Sequence, residues 1–225
     1  VAAWHLNTII NDDKFVIVDE PLTPEQEKNI SKRRYIDFIS KDDLAGYLKS
    51  HAKVEAIIHM GAISATTESN FNKLLRANIR FSQFLWHWCA ENNVPFIYAS
   101  SAATYGMGNE GYLDSENNLS SFNPLNAYGY SKHFFDMWVQ GQISLGLAKP
   151  PQWCGLKFFN VYGPNEYHKG RMASVVYHAF RQFQQDKEIK LFKSAHPEYE
   201  DGMQLRDFIY VKDAVSCIFH LLENR

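Results

Sequence analysis

Cysteine is scarce in this chain. Three cysteines, Cys89, Cys154 and Cys217, occur among 225 residues, far apart and outside any Cys-x-x-Cys or histidine-rich pattern. An odd, scattered set of this kind argues against a disulfide framework and against a zinc site with the usual ligand spacing. We therefore expect no bound metal and a reducing, cytoplasmic compartment.

Neither sign of charge predominates, and long apolar runs are missing. The 23 lysines and arginines nearly balance the 25 aspartates and glutamates, so neither nucleic acid nor an anionic membrane is an expected partner. No apolar run approaches the ~20 residues that cross a bilayer, and no charged segment followed by an apolar stretch opens the chain. What is present, 45% apolar and 15% aromatic residues, suffices for one sizeable core.

Short apolar runs alternate with helical patterns along the chain. Runs rich in β-branched or aromatic residues predict strands at 14–19, 34–38, 54–59, 95–100 and 153–159. Helices are predicted at 1–11, 41–51, 70–92, 128–146, 171–186 and 213–225, with one more short strand at 189–192. Apolar strands joined by helical crossovers indicate an α/β fold with a doubly wound parallel sheet.

The rhythm of the pattern changes after Pro164, which suggests a smaller lobe beside the sheet. We predict a Rossmann-like domain over 1–164, part of a substrate-binding lobe over 165–206, and a return to the first domain over 207–225. The loop 102–127 is too long for a simple connector, and loops of that length usually serve a site. Because both ends of the chain have helical patterns without caps, we expect the segment to be the middle of a longer polypeptide.

The strongest chemical signal is a tyrosine and a lysine four residues apart at the start of a predicted helix. Tyr128 and Lys132 lie on one helix face, and a nearby cation is expected to lower the pKa of the tyrosine. Ser101 follows an apolar strand, at the edge where parallel sheets bind ligands. The Tyr-x-x-x-Lys pattern alone also occurs by chance, with a tyrosine that merely packs in the core. Together with Ser101, however, it predicts a site that removes the proton of an alcohol while hydride leaves the carbon that bears it.

These motifs resemble the extended short-chain dehydrogenase/reductases that act on nucleotide sugars. The resemblance spans nearly the whole chain and rests on segments 59–68, 95–106, 124–132, 158–174 and 205–213. NVYGP at 160–164 is shared widely in this family, whereas EYHKGRMAS at 166–174 is narrower. The narrower segment is similar to the branch that inverts a secondary alcohol of a nucleotide-linked heptose used for lipopolysaccharide. The resemblance therefore implies an epimerase, and we expect it to form a homo-oligomer.

Two features depart from the family pattern. The family begins with a strand and a glycine-rich turn that holds the cofactor pyrophosphate at a helix N-terminus. This sequence contains neither, so we expect the 225-residue segment by itself to be inactive. Arg171 stands where the family commonly has a small residue.

The resemblance implies a nicotinamide cofactor, NADP with NAD as the alternative. Asp19 ends the first predicted strand, where an acid usually accepts hydrogen bonds from the adenosine ribose. Asp37, at the end of the next predicted strand, matches the adenine-side acid. The remaining cofactor positions implied are Lys28, Lys41, Met60, Gly61, Ala62, Ser64, Asn78, Tyr128, Lys132 and Val161.

Substrate positions are also carried over from the resemblance. Inverting a carbon requires hydride to return to the opposite face of the ketone, and the resemblance implies that Lys169 serves one stereochemical course and Tyr128 the other. The remaining positions expected to contact the nucleotide sugar are Ser101, Asn160, Arg171, His178, Phe192, Lys193, Ser194 and Arg206.

Three other functions fit the same motifs to different degrees. A sugar-nucleotide 4,6-dehydratase needs an Asp-Glu pair beside the catalytic serine, where this chain has Ala102, Ala103 and Thr104. A UDP-sugar 4-epimerase suits the serine and tyrosine motifs but not the Lys169 segment. A non-catalytic dinucleotide-binding protein is favoured by the missing glycine turn and opposed by the intact Ser101, Tyr128 and Lys132.

Overall fold

The computed structural model describes residues 15–31, 34–50, 53–114, 116–195 and 197–224. The helix predicted over 1–11 lies outside these ranges. The described residues fall into two compact units. One, here the Lys169 unit, runs up to Lys41 and includes Asn160–Cys217; the other, the Tyr128 unit, comprises Asp42–Phe159 and the residues from Ile218 onward. The domain boundaries predicted at 164 and 206 stay predictions.

The strand pairings of both units are parallel. In the Tyr128 unit, β3 (Ile57–His59), β4 (Phe96–Ser101) and β5 (Trp153–Phe158) form one sheet with β4 in the middle. In the Lys169 unit, β1 (Val16–Asp19) pairs with β2 (Asp37–Ser40), and β6 (Asn160–Tyr162) pairs with β7 (Phe208–Tyr210). Parallel strands with intervening helices confirm the predicted α/β fold.

The described residues form seven α-helices. They are α1 (Pro24–Ile30), α2 (Leu44–Ser50), α3 (Phe71–Leu74), α4 (Phe81–Glu91), α5 (Ala127–Ser144), α6 (Val175–Asp186) and α7 (Val211–Glu223). A π-helical segment, Leu75–Arg80, joins α3 to α4, and 3₁₀ turns cover Ala102–Tyr105, Glu116–Ser121 and Tyr167–Met172. Among the described residues, no helix has the length and apolar character needed to cross a membrane.

The core of the Tyr128 unit lies around β4. Phe96 and Ile97 are fully buried, and Trp86 from α4 packs edge-on against Phe96, Trp138 and Trp153. These large rings fix β4 against α4 and α5, so that the carboxyl end of β4 is a rigid platform for Ser101.

Two sequence predictions of strands need correction. The second strand begins at Asp37 rather than ending near it, since Val16 pairs with Asp37 and Asp19 with Ser40. The strand predicted at 189–192 is absent from the structure. Its residues instead close a loop, in which Gly202 N–H donates to Phe192 O at 2.8 Å while Leu191 and Phe192 stay exposed.

The predicted helix 171–186 begins later, because Gly170 has φ 51° and Ser174 caps α6 by accepting from Tyr177 N–H at 3.1 Å. Helix α1 was not predicted, although Thr23 and Gln26 form a capping box and Pro24 occupies the first turn. That local signature is sufficient to place the helix.

Candidate active site

Ser101 and Tyr128 meet where α5 begins. Ser101 ends β4, and its hydroxyl accepts from Ala103 N–H at 3.1 Å. Asn126 caps α5 by accepting from Gly129 N–H at 2.8 Å. A Cβ at Gly129 would lie 2.8 Å from Ala103 O, so glycine permits the helix to approach the turn that follows Ser101. The Tyr128 and Ser101 hydroxyls form a hydrogen bond there.

The electrostatic setting of Tyr128 differs from the sequence prediction. Burial raises the pKa of Tyr128 above its ordinary value, and the hydrogen bond with Ser101 acts in the opposite direction. The expected lowering by Lys132 is therefore wrong for this structure. Burial is the larger effect, and the Lys132 ammonium donates to Ala99 O at 2.7 Å, the main-chain oxygen two residues before Ser101.

Lys132 is buried in the same place. Its side chain is 5% exposed, and burial lowers its pKa to about 8, partly offset by Asp136 one turn further along α5. Less free energy is needed to deprotonate a lysine with a lowered pKa, which suits a site where protons are transferred.

The depressed pKa of Lys132 predicts a pH dependence of stability. Between pH 8 and the ordinary lysine pKa of ~10.4, the unfolded chain binds a proton that the folded chain releases, so the free energy of unfolding rises with pH. From pH 8 to pH 9 the contribution is about 1 kcal/mol. Urea unfolding at both pH values should show this increase in the wild type and lose it in Lys132→Met; equal pH slopes in the two proteins would contradict the assignment.

A buried ion pair behind the site was not predicted from the sequence. Asp136 Oδ2 accepts from Lys157 Nζ at 2.5 Å and from Ser100 Oγ at 2.6 Å, and Asp136 Oδ1 accepts from Tyr98 OH at 3.1 Å. Lys157 also donates to Thr104 Oγ1 at 2.8 Å. These contacts join α5, β4, β5 and the turn after Ser101. The available signal was Lys157 in an otherwise apolar strand pattern and Asp136 on the helix of Tyr128.

The residues expected beneath the cofactor lie at the carboxyl end of β3. Met60, Gly61, Ala62 and Ser64 follow this strand directly. Asn78, 1% exposed in the π-helical segment, fixes this loop: it accepts from Ile63 N–H at 2.9 Å and donates to Ile63 O at 3.0 Å. Asn78 Nδ2 also donates to Ser131 Oγ at 2.9 Å, so the loop is tied to the helix of Tyr128.

The loop after β3 leaves open space beside its glycine. A Cβ on Gly61 would meet no protein atom within 4 Å, so packing inside the protein does not require glycine there. A glycine that faces open space at the carboxyl end of a parallel strand allows a ligand to approach the backbone closely.

The ribose-side candidates lie in the Lys169 unit. Asp19 ends β1, is exposed, and accepts from Glu20 N–H at 2.8 Å. Lys28 is exposed on α1, whereas Lys41 forms an ion pair with Glu20 at 3.1 Å. Asp37 begins β2, so it lies at the edge of this strand pair opposite Asp19. The expectation that Asp37 closes the strand beside Asp19 is wrong, because the strand starts three residues later than the sequence pattern indicated.

A pocket of about 220 Å³ in the Lys169 unit gathers part of the substrate set. Asn160, Val161, Lys169 and Arg206 line it, together with Glu166, Met172, Ala173, Ser174, Val175 and Phe208. Asn160 is held by donating to Asp207 O at 2.8 Å. The structure thus brings one carboxamide and two cations of the predicted set to a single cavity.

The other predicted substrate residues do not line this pocket. Arg171 is exposed in the 3₁₀ turn after Lys169, and His178 is half-buried on α6. Phe192 and Lys193 are exposed in the loop after α6, where Ser194 N–H donates to Asp201 at 2.7 Å.

Residues 9–225 match the family model described as the NAD dependent epimerase/dehydratase family. The chain belongs to this family.

Among curated proteins, the ADP-L-glycero-D-manno-heptose-6-epimerase of Fusobacterium nucleatum is 51% identical, and the alignment covers 98% of this chain and 67% of the relative. The protein of the same name from Nitratidesulfovibrio vulgaris is 46% identical, with 98% of this chain and 68% of the relative covered. The chain therefore spans about two thirds of the length of these relatives.

Solved structures agree with this placement. The crystal structure of the Helicobacter pylori ADP-L-glycero-D-manno-heptose-6-epimerase matches with a TM-score of 0.77 at 27% identity, covering 99% of this chain and 68% of that one. A UDP-glucuronic acid 4-epimerase from Bacillus cereus matches with a TM-score of 0.73 at 24% identity, covering 99% of this chain and 70% of that one. The second match shows the shared fold only.

Proposed function

We propose that this chain carries the active-site residues of an epimerase that inverts C6 of ADP-glyceromanno-heptose, a precursor of lipopolysaccharide heptose, by transient oxidation. The observation that carries the proposal is the pocket that gathers Asn160, Lys169 and Arg206 in a chain 51% identical to a relative of that name. The lysine of this pocket lies in the segment EYHKGRMAS, whose resemblance to the heptose branch of the family is narrower than that of the other motifs.

The residues of the chain supply proton handling on the substrate. A nicotinamide held beside the loop after β3 would supply the hydride acceptor and donor for the carbon that bears the alcohol. Tyr128 Oη takes the alcohol proton during oxidation of one epimer, and the Ser101 hydroxyl, hydrogen-bonded to Tyr128, orients the same oxygen. Lys169 Nζ gives a proton to the ketone oxygen when hydride returns to the opposite face. Protons and hydride balance, so the reaction needs no external oxidant.

The cofactor proposed is NADP, with NAD as the alternative. Asp19 at the end of β1 suits a free ribose, but an exposed lysine can neutralise a ribose phosphate. Lys28 and Lys41 are the two candidates. Lys41 is paired with Glu20, but such an exposed pair is weak, so this lysine can exchange partners. Titration of the complete enzyme with both cofactors, in the wild type and in Lys28→Met, measures this preference.

A cytoplasmic location, assembly into a homo-oligomer and inactivity of the isolated 225-residue segment stay predictions. Size-exclusion chromatography with light scattering tests the second, and assay of the segment beside the complete enzyme tests the third.

The substrate assignment is tested by offering the complete enzyme each C6 epimer of the ADP-heptose separately, with UDP-glucose as the comparison substrate. Either heptose epimer should give the same equilibrium mixture, and UDP-glucose should remain unchanged. Inversion of UDP-glucose without inversion of the heptose would assign the chain to a 4-epimerase. Cofactor binding without inversion of either sugar would indicate a non-catalytic protein.

A further inference from the structure

We infer that Glu166 is a positioning residue for Lys169: its buried carboxylate holds the Lys169 ammonium in the pocket at the place from which it serves one face of the substrate ketone. The inference rests on the proposed function. It concerns a residue that the sequence reasoning did not single out.

Among the described residues, Glu166 and Asp136 are the two carboxylates that are almost completely buried. The Glu166 side chain is 2% exposed, and both of its oxygens have partners. Oε1 accepts from Gly163 N–H at 3.0 Å and from Ser174 Oγ at 2.8 Å, and Oε2 accepts from Ser174 N–H at 2.7 Å. A buried carboxylate with three donors is fixed in place, since loss of any partner leaves a desolvated oxygen.

These hydrogen bonds close the segment that contains Lys169. Gly163 lies before the segment, Ser174 begins α6 after it, and one carboxylate binds both. Between them the backbone takes positive φ at Asn165, 70°, and Gly170, 51°, so the turn is not a continuous helix that would hold its own shape. Lys169 N–H donates to Glu166 O at 2.9 Å within that turn.

The Lys169 ammonium lies at the limit of ion-pair distance from the same carboxylate. Lys169 Nζ is 4.0 Å from Glu166 Oε2, and the lysine side chain is 35% exposed. The carboxylate oxygens are directed to backbone and hydroxyl donors at shorter distances, so the ammonium is attracted toward the pocket without being fully neutralised. The lysine side chain therefore has room to reach a substrate oxygen.

The charge of the pocket explains why such a restraint matters. Lys169 and Arg206 both line the cavity, and the proposed substrate brings a diphosphate. An unrestrained lysine would pair with that diphosphate, because a flexible ammonium follows the nearest strong anion. Glu166 supplies a competing fixed charge that keeps Lys169 beside the sugar.

The test measures hydride exchange with each epimer separately in the complete, cofactor-loaded enzyme. The two directions of overall epimerisation share one equilibrium constant, so steady-state rates cannot separate the two faces. Transfer of deuterium from C6 of each labelled epimer to the bound cofactor does separate them. Lys169→Met first identifies the epimer whose exchange needs Lys169.

Glu166→Gln should slow exchange of that same epimer by about 10-fold or more, the scale for a misplaced reacting group, and change the other by less than about 2-fold. The double variant with Lys169→Met should be no slower than Lys169→Met alone, because the two changes act through one group. Glu188→Gln, an exposed glutamate after α6, is the control and should behave as wild type.

Thermal unfolding of each variant separates positioning from fold. If Glu166→Gln does not fold, Glu166→Asp retains the charge, withdraws it by one methylene, and should give the same epimer-selective loss. Equal slowing of both epimers in a folded variant would overturn the inference and leave the proposed function standing. If neither variant folds, Glu166 has a structural role only, and the inference is overturned as well. A wild type that inverts no ADP-heptose would overturn the function and the inference together.

Discussion

Tyr128→Phe in the complete enzyme is expected to lower kcat by about 10²-fold or more, the scale for losing a general acid/base. The change removes one oxygen from a half-buried ring and leaves its packing intact. Substrate affinity should change little, because Ser101 still offers its hydroxyl to the substrate oxygen. Steady-state assays of the ADP-heptose, with substrate binding measured separately by calorimetry, report both quantities.

Tyr130→Phe is the matched control for this experiment. Tyr130 lies two residues along α5, and its hydroxyl donates to Asn123 Oδ1 at 2.6 Å on the exposed side. The same atom is removed from the same helix, so a change in helix stability would be shared by both variants. Near-normal turnover in Tyr128→Phe, or equal losses in the two variants, would remove Tyr128 from the chemistry.

Lys169→Met is expected to abolish net inversion of the ADP-heptose while leaving hydride exchange with one epimer. One face of the ketone loses its proton donor, whereas the oxidation that uses Tyr128 remains possible. Net turnover should therefore fall by about 10²-fold or more, whereas deuterium transfer from the Tyr128-dependent epimer to the cofactor persists. Mass spectrometry of the cofactor after a single turnover, with each labelled epimer, measures the asymmetry.

Lys212→Met provides the comparison for Lys169→Met. Lys212 is exposed on α7, so the same replacement there should leave both exchanges unchanged. If Lys169→Met raised KM uniformly with kcat intact, the lysine would bind the diphosphate and have no part in proton transfer. That result would also restore the 4-epimerase as a serious alternative.

Much of the sheet could be predicted from the sequence because its strands are buried runs. β4 and β5 were predicted within one residue of their observed limits, and β1 and β3 within about three at their starts. β2 was misplaced because Tyr35 and Ile36, apolar enough to extend the pattern, are exposed residues before the strand. That shift moved Asp37 from the end of a strand to its beginning.

The catalytic candidates were recognisable because Tyr128 and Lys132 are local in sequence and Ser101 ends a clear strand. Their electrostatics were not predictable in the same way. Whether Lys132 lowers the pKa of Tyr128 depends on which oxygen the ammonium contacts, and the structure directs it to Ala99 O.

Residues that act through tertiary contacts were missed. Asp136 and Lys157 are 21 residues apart, and only the packing of α5 on β5 brings them together. Glu166 is close to Lys169 in sequence, but its burial depends on Gly163 and Ser174 folding around it. An acidic residue three positions before the key lysine was the available signal.

The most direct test of transient oxidation at C6 uses ADP-heptose that carries deuterium at that carbon. Because the hydride that leaves C6 returns to the same carbon, the inverted epimer formed in ordinary water should retain its deuterium at C6. Nuclear magnetic resonance of the product reads this position alone. Retention of the label with inverted configuration is the predicted result; inverted product with solvent hydrogen at C6 would contradict it.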